Sequence, residues 1–113
     1  MASETEPFGP LKPDIFEILL ALESGPLHGY GIIASVESRT RSERKLLPSL
    51  LYRRLARLVE EGVVEEALAV GDDDPRRKHY QLTPLGRSLV RHEANRIMQL
   101  ARSLERYRWS ESK

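Results

Sequence analysis

Apolar positions along this chain repeat with a helical period in four segments and with an extended pattern in two. Ile15, Phe16, Ile18, Leu19, Leu20 and Leu22 make the first segment apolar on most sides. That predicts a helix buried by its own domain and by a partner subunit. Pro13 suits its first position, Asp14 its first turn, and Ser24-Gly25-Pro26 ends it. A second helix is expected over residues 29–38, with Ile32, Ile33 and Val36 inward. A polar, basic connector over 39–47 leads to a third helix, opened by Pro48 and closed by Gly62 as a C-cap.

Residues 63–70 and 79–82 read as two strands of a hairpin around Gly71-Asp72-Asp73-Asp74-Pro75. Thr83 is placed to cap a last helix with Pro84 at its first position. No breaker follows before Trp109, so this helix is expected to run about 27 residues, roughly 40 Å. Residues 1–11 read as a flexible arm and 110–113 as a tail. The predicted division is a winged helix-turn-helix over 12–82 and a C-terminal dimerisation helix over 83–109. The fold class is therefore mainly α with a β-hairpin wing.

The third helix sorts by angle at about 100° per residue. With Ser49 as origin, Leu51, Leu55 and Leu58 share one face, near 200°, 240° and 180°. Ser49, Arg53, Ala56 and Arg57 lie opposite, with Tyr52 on one flank and Arg54 on the other. The last helix carries a second pattern. Val90, Ile97 and Leu104 are spaced by seven, and so are Leu100 and Tyr107 at an offset of three. This is an a/d seam over about two heptads. Gly86 and Glu93 interrupt it upstream. A projecting helix with such a stripe needs a partner, and a second copy about a two-fold axis is expected. Phe16 and Leu20 of the first helix join the expected dimer interface.

Composition narrows the class. At 113 residues the chain makes one domain, and it has no cysteine. That excludes a disulfide framework, a thiol sensor and a cysteine zinc site. No charged start precedes an apolar run, and no run is long enough to span a membrane, so a cytoplasmic protein without membrane contact is expected. The net charge of +1 hides an uneven distribution. Residues 39–57 hold seven bases (Arg39, Arg41, Arg44, Lys45, Arg53, Arg54, Arg57) against Glu43 alone, residues 60–74 hold seven acids and no base, and then Arg76, Arg77 and Lys78 follow together. Two basic clusters, on a helix and on a hairpin tip, are the electrostatic footprint of a nucleic-acid face.

Three segments resemble the PadR family of transcriptional regulators: GPLHGYGI over 25–32, LYRRLARLVEEGVV over 51–64 and PRRKHYQLTPLG over 75–86. The likeness covers nearly all of residues 15–109 and is closest to small members with one C-terminal helix. It implies a homodimeric winged helix-turn-helix, usually a repressor, whose third helix reads DNA. It also implies an effector, a small aromatic compound that releases DNA. Three positions depart from the pattern: Leu50 stands where threonine is common, His79 where tyrosine is common, and Gly31 where an acid is frequent.

Arg53 and Arg57 are the leading base-reading residues, since one guanidinium can bond guanine O6 and N7 together. Ser49 near the helix start is a phosphate contact or a cap. Tyr52 and Tyr30 offer hydroxyls to phosphate. Arg76, Arg77 and Lys78 at the wing meet phosphate or the minor groove. Arg54 contacts phosphate or covers apolar surface with its stem. Tyr107 and Trp109 are an aromatic pair for terminal packing or for a planar ligand. Asp72-Asp73-Asp74 lacks the ligand spacing of a calcium loop and reads as a turn. His28, His79 and His92 show no metal spacing, and no cofactor is expected. No nucleophile motif or phosphate-cradling loop points to catalysis. The competing class is a protein-interaction adaptor using the acidic run over 60–74.

Overall fold

The computed structural model describes residues 9–43, 45–69 and 76–109. Residues 1–8 of the expected arm, the tail over 110–113, Arg44, Val70 and the turn over 71–75, with its three aspartates, lie outside the described residues. In chain order the elements are α1 (Pro13–Leu22), β1 (Leu27–His28), α2 (Gly29–Arg39), α3 (Pro48–Glu60), β2 (Val64–Ala67), β3 (His79–Leu82) and α4 (Pro84–Glu105). Mainly helical, with a small antiparallel sheet, the chain has the expected class.

The core is built from the apolar faces the periodicity marks. Ile18, Leu19 and Leu22 of α1, Ile32 and Val36 of α2, and Leu51, Leu55 and Leu58 of α3 are all buried together. Each such side chain contributes about 1.5–3 kcal/mol by leaving water. Leu46 of the connector joins them. That connector turns through Arg41 and Ser42, both left-handed at φ 54° and 63°. An ion pair between Arg39 and Glu17 ties α2 to α1.

The sheet has the order β1-β3-β2, and both pairings are antiparallel. Strand β1 was not expected. It is two residues long and exists because Leu27 pairs with Tyr80 and His28 with His79. β2 is shorter than the predicted 63–70: it ends at Ala67, and Leu68 beyond it is exposed.

Gly62 adopts φ +76° after α3, the left-handed conformation its C-cap role requires. Val63 follows and is wholly buried. Thr83 caps α4 by accepting from the Gly86 N–H at 3.1 Å, while its hydroxyl donates to the Gly62 carbonyl at 2.6 Å. Gly86 lies so close to the Val63 carbonyl that a Cβ there would collide with backbone. One of the two residues that interrupt the heptad seam thus lets α4 dock against the backbone of Val63, just ahead of β2.

α4 differs from expectation in two ways. It spans 22 residues and stops at Glu105, short of Trp109. Its first half belongs to the core: Leu89 and Val90 are buried with the other apolar side chains. Val90 was expected at the dimer seam, but it packs inside its own subunit. The stripe left outward is Ile97, Leu100 and Leu104, followed by Tyr107. Phe16 and Leu20 pack on the core with part of their surface still open. Glu93 is buried, accepts from the Leu11 N–H at 3.2 Å and pairs with Arg96 at 2.8 Å. So the end of the expected arm is tied down at Leu11. No helix of the described residues is long and apolar enough to cross a membrane.

Candidate nucleic-acid interface

With Leu51, Leu55 and Leu58 facing the core, the opposite side of α3 presents Ser49, Arg53, Ala56, Arg57 and Glu60 to solvent. Arg53 has no carboxylate partner among the described residues, and nothing competes there for its guanidinium. Arg57 pairs with Glu61 at 3.2 Å, one turn on, in an exposed contact that solvent and ligand can replace. Ser49 does not cap: Leu47 occupies the cap position and no side-chain bond is made there. The first-turn N–H groups are thus left without a side-chain cap, and the Ser49 side chain is exposed beside them.

Arg54 leaves this face. Its Nε lies 2.8 Å from Asp14 Oδ2, and both side chains are largely covered. The flank position read from the helical angle turns towards α1 rather than towards a ligand. The guanidinium ties α3 to the first turn of α1, which corrects its expected place among the contacts. Leu50, where the family pattern favours threonine, packs partly against the core.

The other flank of α3 meets the wing. Tyr52, Ala56 and Val59 line a shallow groove with Glu66, Lys78 and Tyr80 of the hairpin. Burial pushes the Tyr80 phenol above its usual range, so it stays protonated. Lys78 sits 3.6 Å from Glu66, with both side chains in water.

The wing also reaches α2. The Arg77 guanidinium lies over the Tyr30 ring, 5.9 Å from its centre, in cation–π range. His79, fully buried, donates from Nδ1 to the Arg77 carbonyl at 2.8 Å and fixes the wing backbone there. The His79 ring meets the His28 ring edge-on at 5.3 Å. His28 in turn caps α2 by accepting from the Gly31 N–H at 3.1 Å. Tyr52 completes the junction, because its hydroxyl lies against Gly29 where any Cβ would stand. His28, Gly29, Tyr30, Tyr52, Arg77 and Lys78 surround one notch of about 120 Å³.

Four of the nine expected contact residues thus meet at the notch, Tyr30, Tyr52, Arg77 and Lys78, and Arg53 follows Tyr52 on the outward face of α3. Ser49 and Arg57 share the outward face of α3, and Arg76 is exposed at the wing. Missed by the sequence reading were His28 and Gly29. Their signal was local, a His-Gly-Tyr run opening a helix, but nothing in it indicated a partner in the wing.

Among the described residues no group of three acidic or histidine side chains is placed to hold a metal. A larger cavity, about 210 Å³, lies away from this face, between the Pro10-Leu11-Lys12 segment and α1, α3 and α4.

The sequence profile of the Transcriptional regulator PadR-like family matches residues 18–92. The chain belongs to the PadR-like family. The family is one of transcription regulators. A relative in Streptomyces fradiae, an uncharacterized 37.1 kDa protein in transposon TN4556, is 38% identical over 84 residues. That match spans 74% of this chain but only 23% of the relative. Among solved structures, a transcriptional regulator from Clostridium thermocellum superposes with a TM-score of 0.68 at 20% identity, over 95% of this chain and 98% of that one. PadR of Bacillus subtilis, solved in complex with operator DNA, superposes with a TM-score of 0.64 at 20% identity, over 86% of this chain and 61% of that one. At such identity these two likenesses establish the PadR-like winged-helix fold.

Proposed function

We propose that this PadR-like regulator is a homodimeric, sequence-specific DNA-binding repressor. The observation that carries this reading is the surface shared by α3 and the wing. Arg53 stands on the outward face of α3 with no carboxylate partner among the described residues, and Arg77 and Lys78 stand on the adjoining hairpin. A helix of this kind enters the major groove while a basic hairpin reaches the neighbouring backbone. Arg53 and Arg57 then read base edges. Ser49, Tyr52, Tyr30, Arg76, Arg77 and Lys78 hold phosphates.

The exposed stripe of Ile97, Leu100, Leu104 and Tyr107 pairs with its copy in a second subunit, with Phe16 and Leu20 at the edge. Two recognition helices related by a two-fold axis require an inverted-repeat operator with half-sites about one DNA turn apart. Occupying such a site within a promoter represses it. Tyr107 and Trp109, exposed, with ring centres 4.8 Å apart and planes tilted by 37°, support a small planar aromatic effector. Quenching of Trp109 fluorescence by planar compounds, with a matching change in operator affinity, tests that part.

Selection from a random duplex pool at near-physiological salt tests the whole. Enrichment of an inverted repeat is expected. Salt-sensitive binding without any enriched sequence would remove sequence reading and favour the adaptor class.

A further inference from the structure

The contact between His28 and Arg77 is not a hydrogen bond, and the reason identifies what belongs between them. The Gly31 N–H can only donate, so His28 Nδ1 at 3.1 Å is its acceptor. The neutral imidazole then carries its proton on Nε2. Arg77 Nη1, which also can only donate, stands 3.3 Å from that same Nε2. Two donors therefore face each other across the edge of the notch. The Tyr30 and Tyr52 side chains and Lys78 line the same space. At about 120 Å³ it takes roughly four waters at about 30 Å³ each.

The geometry points to a phosphate site. One anionic oxygen between His28 Nε2–H and the Arg77 guanidinium satisfies both donors, and Lys78 adds charge at the rim. The ligand is a phosphodiester of the DNA backbone, gripped where wing and α2 meet, outside the groove that α3 reads. His28 thus becomes a DNA contact as well as a helix cap. The His79–Arg77 backbone bond holds the wing arm of the clamp at the right height. This inference rests on the DNA-binding reading above and adds to it a site that reads no base.

The test uses His28→Asn in the full-length protein. Asparagine is among the best helix caps, and its Oδ1 takes the place of Nδ1, so the α2 start survives while the Nε2 donor is lost. Duplex affinity is expected to fall about ten-fold per half-site, equally for selected and random sequences, from loss of one hydrogen bond to a charged group. The salt slope stays unchanged, since no charge is removed. Arg77→Gln lowers affinity and also makes the slope shallower by about 0.9 per phosphate contact. The double variant loses less than the product of the two single losses, because both donors serve one oxygen.

In wild-type protein the nitrogen-15 imidazole signals of His28 are expected to report the Nε2–H tautomer and to shift on duplex binding. Normal affinity of His28→Asn alongside a weakened Arg77→Gln would overturn the clamp and leave the DNA reading intact. Normal affinity of Arg53→Ala, Arg77→Gln and His28→Asn together would sink the docking model itself. A saturable His28 shift with inorganic phosphate alone, at fixed ionic strength, would assign the notch to a free anion instead.

Discussion

The hydroxyl of Tyr52 fills the space that a side chain on Gly29 would need. One residue lies on α3 and the other opens α2, so this contact sets the approach of the two helices at the candidate interface. Gly29→Ala pushes only the far end of a flexible side chain, and alanine favours the helix by up to about 1 kcal/mol. Thermal stability is expected to hold or rise slightly. Duplex affinity is expected to fall about three- to ten-fold, as Tyr52 swings out and loses one hydrogen bond. Tyr52→Phe should reproduce the affinity loss without moving the ring. An unchanged affinity for both would place Tyr52 outside the interface.

Arg53 and Lys78 occupy the two parts of the same surface and should fail differently. Arg53→Ala is expected to remove about 1–3 kcal/mol of discrimination at one base position in each half-site. Lys78→Ala should weaken selected and random duplexes alike and make the salt slope shallower by about 0.9 per half-site. Its ion pair with Glu66 is exposed and offers little competition. Binding curves over a salt series, with single-base operator variants, separate the two.

Arg54 is expected to matter for folding and not for DNA. Its 2.8 Å contact with Asp14 is largely covered, and Asp14 also accepts from the Ile15 N–H at 2.8 Å. Arg54→Ala strands a half-buried carboxylate and should cost about 1–2 kcal/mol in urea unfolding. Duplex affinity at a temperature well below unfolding should match wild type. A large loss of affinity there would return Arg54 to the contact surface.

How far the sequence could be read follows from which features were local. Pro13, Pro48 and the Thr83-Pro84 pair mark helix starts by chemistry confined to one turn, and α1, α3 and α4 begin where they predict. The outward face of α3 followed from the leucine spacing alone. Strand β1 was invisible, because Leu27 and His28 are extended only by pairing with residues more than fifty positions away. The partner of Arg54 was equally remote. Val90 and Ile97 share a heptad position, yet one is buried and the other open. Periodicity gives the face of a helix, and only the fold decides which neighbour covers each turn of it.

Glu93 gives the chain an acid-sensitive tether. The hydrogen bond from Arg96 holds its carboxyl below the usual carboxylate range, helped by the Leu11 N–H and opposed by burial. A depressed folded-state value means that the stabilisation is fully present above the ordinary carboxylate value. It is lost as pH falls through the lower, folded value. Glu93→Ala should cost about 2 kcal/mol at neutral pH. Glu93→Gln, which keeps an acceptor for Leu11, should cost less and should show a shallower loss of stability in acid than wild type. Urea unfolding at neutral, mildly acidic and strongly acidic pH checks the slopes. Faster hydrogen exchange at Leu11 in Glu93→Ala checks the tether.

The outward stripe on α4 and the buried residue behind it make opposite predictions. Leu100 is 52% exposed and Leu104 41%, while Val90 is 1% exposed on the same helix. A helix extending past its own core with leucines in water is stabilised by covering them, and the matching surface on a second copy does so without a new partner. Leu100→Glu with Leu104→Glu places like charges across a two-fold seam. Light scattering at micromolar concentration should show a dimer for wild type and a monomer for this variant. The variant subunit should stay folded, because neither side chain contributes to the core. Operator affinity should then collapse towards that of a single half-site. Val90→Ala should do the reverse: it leaves a cavity costing roughly 2 kcal/mol per subunit and keeps the dimer. A monomeric wild type, or a dimer that survives both glutamates, would place the subunit contact elsewhere and with it the two-fold operator.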